Sequence, residues 1–257
     1  MSVLADKVLS DADLAHFRDR GWVTARGFFS AQVAQDLSHW TDSICAMPEV
    51  PGRHMVYWEN SRTEPGKKLI QRIENFCPYH DGMDRLVRQG PLMIAVNALM
   101  EAPSVLFKDK INFKKPGGTG FELHQDQQAG WSTYAPLFLT ALISIDRATE
   151  ENGCLRIADM PRPRAILGEE WKPLTEADLG GHRQVPVPTD PGDVIFFDSF
   201  VAHASEPNRS DKQRRILYLT YNRLADGDHR ARYFHDKRQS FPPDIERVPG
   251  REYRFRV

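Results

Sequence analysis

Cysteine is scarce in this chain. Cys45, Cys77 and Cys154 are the only three, an odd number without the spacing of a metal-binding or disulfide framework. They read as reduced, mostly buried thiols. Charge of one sign is lacking too: 34 Lys and Arg stand against 35 Asp and Glu, a formal charge of −1. No global field therefore draws the protein to nucleic acid or to an anionic membrane, and any anion binding must be local. No apolar run approaches the length of a membrane span. The start, Met1-Ser-Val-Leu-Ala-Asp-Lys, has neither the basic head nor the apolar run of a secretory signal. A cytoplasmic protein acting on a small molecule is expected, with nothing pointing to a protein partner.

No repeat, low-complexity tract or linker divides the 257 residues, a length that one core can fill. A single domain over 1–257 is the expectation. Ser10, followed by Asp11, Asp13, Leu14 and Phe17, predicts an N-capped helix ending at Gly21. A second helix begins near Ser30, where Val33, Leu37, Trp40 and Ile44 form one apolar stripe suited to core packing. Met55-Val-Tyr-Trp-Glu reads as a short strand, and a third helical region runs from Asp84 to about Met100 with a break near Gly90-Pro91. From about Ser104 the texture changes to β-type runs at 105–113, 137–145, 193–200 and 215–221, separated by Gly and Pro. The pattern predicts an α+β, mainly β chain: a helical N-terminal third followed by an antiparallel barrel or jelly roll.

Phe121-Glu-Leu-His124-Gln-Asp126 sets an imidazole and a carboxylate two residues apart, so on an extended strand both face the same way. His203, after the buried-strand pattern of 191–200, is the candidate third ligand. Two histidines and a carboxylate on one side of an octahedron suit iron(II), leaving positions for a cosubstrate and oxygen. By itself His-x-Asp is common by chance, and context carries the reading.

That context is Arg214, eleven positions after His203, with Pro207-Asn-Arg-Ser210 between them as a turn. A hairpin centred between Asn208 and Arg209 would make 203 and 214 cross-strand partners on one face. A guanidinium there would grip the far carboxylate of 2-oxoglutarate through two parallel hydrogen bonds, and the Ser205 hydroxyl could assist. A surface charge in the Lys212-Gln-Arg-Arg run is the plainer alternative for Arg214, and Arg215, pointing the other way, is expected to be one.

With these residues assembled, the chain resembles the phytanoyl-CoA dioxygenase family of iron and 2-oxoglutarate oxygenases. The likeness runs through Lys108-Asp-Lys-Ile-Asn112, His124-Gln-Asp126, Asn152-Gly153, Gly192-Asp193, His203-Ala-Ser205 and Arg214. It implies a double-stranded β-helix with packed N-terminal helices, and iron(II) bound by His124, Asp126 and His203. It also implies 2-oxoglutarate held by Arg214 and consumed with O2 to give succinate and CO2, with ascorbate as an accessory reductant. Because Asp126 keeps the carboxylate that related halogenases lack, hydroxylation is the implied outcome. Within the family the chain is most similar to bacterial 2-aminoethylphosphonate dioxygenases, on Arg72-Ile-Glu-Asn75, Gln125 through Trp131, Thr220-Tyr-Asn222 and Asp236-Lys-Arg238. Attack at the carbon bearing phosphorus is what that narrower likeness implies.

Lys108, Lys110, Asn112 and Lys114 share one face of a strand; Lys108 and Asn112 are taken as inward, toward substrate or cosubstrate, and the other lysines as solvated. Further candidate substrate contacts are Arg72, Tyr57, Trp131 and Gln125. Arg72 with Glu74 is equally a surface ion pair, and the aromatic residues are equally core. The Gly117-Gly-Thr-Gly120 loop reads as a turn into the metal strand. His54, His80, His229 and His235 stay outside the site, and Met55 to Arg72 is the candidate lid. Rival readings are a 2-oxoglutarate hydroxylase of an amino acid, a betaine-like cation, an acyl-CoA or a natural product, a metal-dependent lyase or isomerase on a cupin-like barrel, and a metal-free jelly-roll binding module.

Overall fold

The computed structural model describes residues 8–253. Helix α1 spans Asp11–Arg20, capped by the Ser10 hydroxyl and closed by Gly21 at φ 78°, a left-handed position glycine adopts without strain. Strand β1 (Trp22–Ala25) leads to α2 (Ala31–Cys45), which buries Ala34, Leu37, Thr41 and Ile44. Complete burial of Leu37 or Ile44 is worth about 1.5–3 kcal/mol each. Next come β2 (Met55–Asn60), β3 (Lys68–Glu74), α3 (Asp81–Arg88) and α4 (Gly90–Met100). The predicted break falls at Gln89, before Gly90-Pro91, where the chain turns extended. The β-rich remainder holds β4 (Ser104–Lys114), β5 (Phe121–His124), β6 (Phe138–Ser144), β7 (Leu155–Ala158), β8 (Gln184–Val187), β9 (Val194–Asp198), β10 (His203–Ser205) and β11 (Arg214–Arg223), with α5 (Arg230–Ser240) after them.

The strands form two antiparallel sheets ordered β1-β9-β6-β11-β4-β3-β2 and β5-β10-β7-β8. This is the jelly-roll arrangement, and three strands of the N-terminal third extend its larger sheet. Alternation divides each strand between two environments. Ile111, Phe113, Leu139, Ala141, Ile143, Leu217 and Leu219 pack outward against α1 to α4. Leu142, Ile195, Phe197, Ile216 and Tyr218 point the other way and meet Leu155, Ile157 and Val187 of the smaller sheet. Between the sheets, one part of the interior is apolar and the rest holds polar groups.

Two expectations fail here. Residues 203 and 214 are not cross-strand partners: β10 pairs with β5 and β7, while β11 pairs with β4 and β6 in the other sheet. The turn at 207–210 carries the chain from one sheet to the other, and the Asn208 amide anchors it by donating to the Lys114 and Lys212 carbonyls. The segment from Met55 to Arg72 is no lid. Its strands β2 and β3 pair along the edge of the large sheet, with Met55, Val56 and Tyr57 buried.

Candidate metal centre

Strand β10 brings His203 directly opposite His124 of β5. Asp126 does not continue that strand as expected. Gln125 is still extended, but Asp126 opens a 3-10 turn, Asp126–Ala129, that swings its carboxylate back toward the imidazoles. One ligand atom from each of His124, Asp126 and His203 lies within 4.8 Å of the others, the one such cluster among the described residues. Each imidazole Nδ1 contacts a backbone carbonyl two residues earlier, Glu122 at 2.7 Å for His124 and Val201 at 2.9 Å for His203. A donating Nδ1 leaves the Nε2 lone pair free for a metal.

Electrostatics agree that both rings are neutral. Burial, then mutual repulsion, holds the pKa of His124 below its usual value, and burial does the same for His203. Burial alone would raise Asp126, but His203, His124 and Lys110 outweigh it and keep the group a carboxylate. Two neutral imidazoles and one carboxylate form a donor set that fits iron(II).

Register sets the neighbours. Lys108, Lys110, Asn112 and Lys114 pair with Thr220, Tyr218, Ile216 and Arg214 and share their interior face. Arg214 is 1% exposed, and among the described residues no carboxylate pairs with its guanidinium, which has the Tyr218 phenol beside it. Burial draws its pKa down, with the Tyr218 phenol opposing. The Asn112 side-chain oxygen is unpartnered and, being an acceptor, would need a donor. A buried guanidinium without a counter-charge fits a carboxylate ligand. Asn112, Ser205 and Tyr218 line a pocket beside His203.

That pocket adjoins a larger cavity of about 710 Å³ running outward from His124 and Asp126 past Lys108, Lys110 and Trp131. The lysines expected to be solvated are not. Lys110 faces the cavity, where burial, then Lys108, brings its pKa down to about 7. Lys114 is 2% exposed and donates to the Ser205 hydroxyl, so Ser205 is engaged before any ligand arrives. Lys108 lies inward as expected, with its ammonium 5.3 Å from the Trp131 ring, so a lysine of the chain already takes that ring face.

The remaining candidates lie elsewhere. Gln125 is fully buried; its amide donates to the Ala165 and Phe200 carbonyls and its oxygen accepts from Leu167 N–H, a loop anchor outside the cavity lining. Arg72 and Glu74 form a buried ion pair at 2.9 Å, not a surface one, with Lys237 on the same carboxylate at 2.6 Å. Tyr57 stacks on Phe241 beneath the Arg72 guanidinium, behind the cavity wall. Arg215 is buried as well, bonded to Asp146 and Asp42. Sequence reasoning missed the contribution of α5 and its C-terminal end, where Tyr233, Asp236, Lys237 and Phe241 join the lining.

Comparison with known proteins agrees with this geometry. The phytanoyl-CoA dioxygenase family pattern matches residues 17–216. The chain is 41% identical to a 2-aminoethylphosphonate dioxygenase from an uncultured bacterium, over 92% of this chain and 90% of that one. It is 36% identical to a methylphosphonate hydroxylase of Gimesia maris, over 91% and 88%. In fold it is similar to EctD from S. alaskensis, solved with 2-oxoglutarate and 5-hydroxyectoine, with a TM-score of 0.69 and 23% identity over 88% of this chain and 80% of that one. No helix among the described residues is long and apolar enough to cross a membrane. The chain belongs to the phytanoyl-CoA dioxygenase family and is an iron(II), 2-oxoglutarate-dependent dioxygenase.

Proposed function

We propose that this enzyme hydroxylates 2-aminoethylphosphonate at the carbon bearing phosphorus, giving 2-amino-1-hydroxyethylphosphonate, succinate and CO2. The observation that carries the reading is the placement of Lys108 and Lys110 in the cavity beside His124 and Asp126. A phosphonate dianion needs cations inside a low-dielectric wall; Lys108 supplies one, and the dianion would favour the protonated form of Lys110 as the second. Anchoring phosphorus next to the metal ligands brings its attached carbon, rather than the one bearing nitrogen, to the reacting position.

In this reading His124, Asp126 and His203 hold iron(II), and Arg214, with the Asn112 amide nitrogen as a second donor, holds the far end of 2-oxoglutarate. When bound, the metal and cosubstrate supply oxygen activation and the electrons for hydroxylation, the cosubstrate leaving as succinate and CO2. The chain contributes charge, orientation and the exclusion of water. The names of the two phosphonate-acting relatives support a phosphonate substrate.

Anaerobic loading with iron(II) and 2-oxoglutarate should give the weak visible charge-transfer band of the chelate. Oxygen and 2-aminoethylphosphonate should then give one succinate per new hydroxyphosphonate, counted by phosphorus NMR. A band without substrate-coupled succinate discards the substrate; a panel of methylphosphonate, amino acids, betaines and acyl-CoA esters then locates the true one. Lys108→Met should raise the KM for the phosphonate by roughly tenfold or more, the loss of one charge-assisted contact, and leave that for 2-oxoglutarate unchanged.

A further inference from the structure

Trp171, on the connection between β7 and β8, stands at the cavity with three features that packing leaves unexplained. Its φ is 65°, a left-handed backbone that a bulky L-residue rarely adopts. Its side chain is 40% exposed although large and apolar. Its indole also fills the space beside Gly130, where an added Cβ would collide with the six-membered ring.

The segment is fixed rather than loose. Trp171 N–H donates to the Gln128 carbonyl at 2.9 Å, and the Gln128 side-chain amide donates to the carbonyls of Glu169 and Lys172 at 2.7 and 2.8 Å. Gln128 is fully buried in the turn that begins with Asp126. The indole and the metal-site carboxylate are therefore carried by one stapled unit. Backbone strain that surrounding contacts hold in place at a cavity marks a position where geometry matters to function.

We propose that Trp171 is a specificity-determining wall of the substrate cavity, a fixed stop that sets how long an aminoalkylphosphonate the enzyme accepts. This rests on the phosphonate reading of the site. With the phosphonate held at Lys108 and Lys110, the amine end extends outward, and the indole limits its reach. Gly130 is the complement of that wall, because any side chain there displaces the indole.

The test is a length series of 2-aminoethyl-, 3-aminopropyl- and 4-aminobutylphosphonate. Binding is read by calorimetry on protein loaded with 2-oxoglutarate and redox-inert zinc, and turnover by succinate release from the iron enzyme. Wild type should lose about tenfold in affinity and kcat/KM per added methylene, and Trp171→Ala should flatten that to within about threefold. Trp171→Phe should fall between them. Gly130→Ala should move the same way with the tryptophan still present. Affinity for 2-oxoglutarate should stay constant, reporting that the variants fold; if Trp171→Ala does not fold, Trp171→Phe and Gly130→Ala decide. An unchanged length dependence in the variants overturns the wall, as does loss of every phosphonate with 2-oxoglutarate binding intact. If wild type binds none of the series, the substrate reading itself has failed, which is seen before any variant is made.

Discussion

Lys114 and Arg214 are direct partners in the β4–β11 ladder, two basic side chains side by side in the interior. Like charges so placed repel, and the lysine yields: burial first, and Arg214 second, bring its pKa down to about 6. Between about pH 6 and about 10.4 the unfolded chain holds a proton there that the folded one lacks, so this group's contribution to stability rises with pH across that window. A dicarboxylate settling at Arg214 would favour the charged amine. Binding of 2-oxoglutarate at about pH 7.5 is therefore expected to take up protons, measured as a dependence of calorimetric enthalpy on buffer ionisation enthalpy. Lys114→Met should remove that share of the uptake, and a wild type with no uptake would place the carboxylate elsewhere.

Arg214 separates fold from function unusually well. Its guanidinium has the Tyr218 phenol beside it but no carboxylate partner among the described residues, so Arg214→Met removes a buried charge without a counter-ion, and the melting temperature should hold or rise. Affinity for 2-oxoglutarate should fall by roughly 10–100-fold, the worth of one charge-assisted hydrogen bond. Arg214→Lys should not restore it, because an ammonium lacks the fork. A variant that melts early while keeping its cosubstrate affinity would contradict both halves.

Gln125 should show the opposite separation. Its side chain joins three backbone groups, at Ala165, Leu167 and Phe200. Gln125→Leu leaves those groups unpaired and should cost about 2–4 kcal/mol in denaturant unfolding. A substrate-contact role would instead raise the KM for substrate at unchanged stability.

Glu74 holds Arg72 and Lys237 at once, fully buried. Burial pushes its pKa up, but Lys237, Lys108 and Arg72 overcome this and hold it well below the usual carboxylate range. Glu74→Gln should destabilise the protein by about 3–5 kcal/mol, because the buried Arg72 guanidinium loses its counter-charge. It should also loosen the α5 wall of the cavity, seen as faster amide exchange over 230–240. Unchanged exchange there would mean that the helix is held by its other contacts, such as packed Tyr233 and Phe234 and the buried Arg230–Asp109 ion pair.

The legible parts of this protein were those written in local chemistry. Ser10 and Gly21 bound α1, and β4, β6, β9 and β11 follow apolar runs. Type and spacing single out His124, Asp126 and His203, and the fold does bring them together as a candidate metal cluster, although Asp126 reaches its place through a turn rather than along a strand. A separation of eleven positions from His203 to Arg214 fits a hairpin and a crossing between sheets equally well, because sequence spacing carries no sheet identity. Lys110 and Lys114 were misread as solvated because a lysine's burial depends on distant acceptors, such as the Glu206 carbonyl, that spacing does not reveal. The share of the lining from Asp236 and Lys237 was invisible: α5 is polar and carries no periodic apolar face to signal which side turns inward.

The contact each metal-site imidazole makes with the carbonyl two residues before it means that ring orientation is written into the local chain. Substrate preference here is thus free to drift. Side chains along the cavity can be exchanged without turning either histidine, and the oxidising end of the enzyme is inherited intact while the pocket in front of it is rewritten.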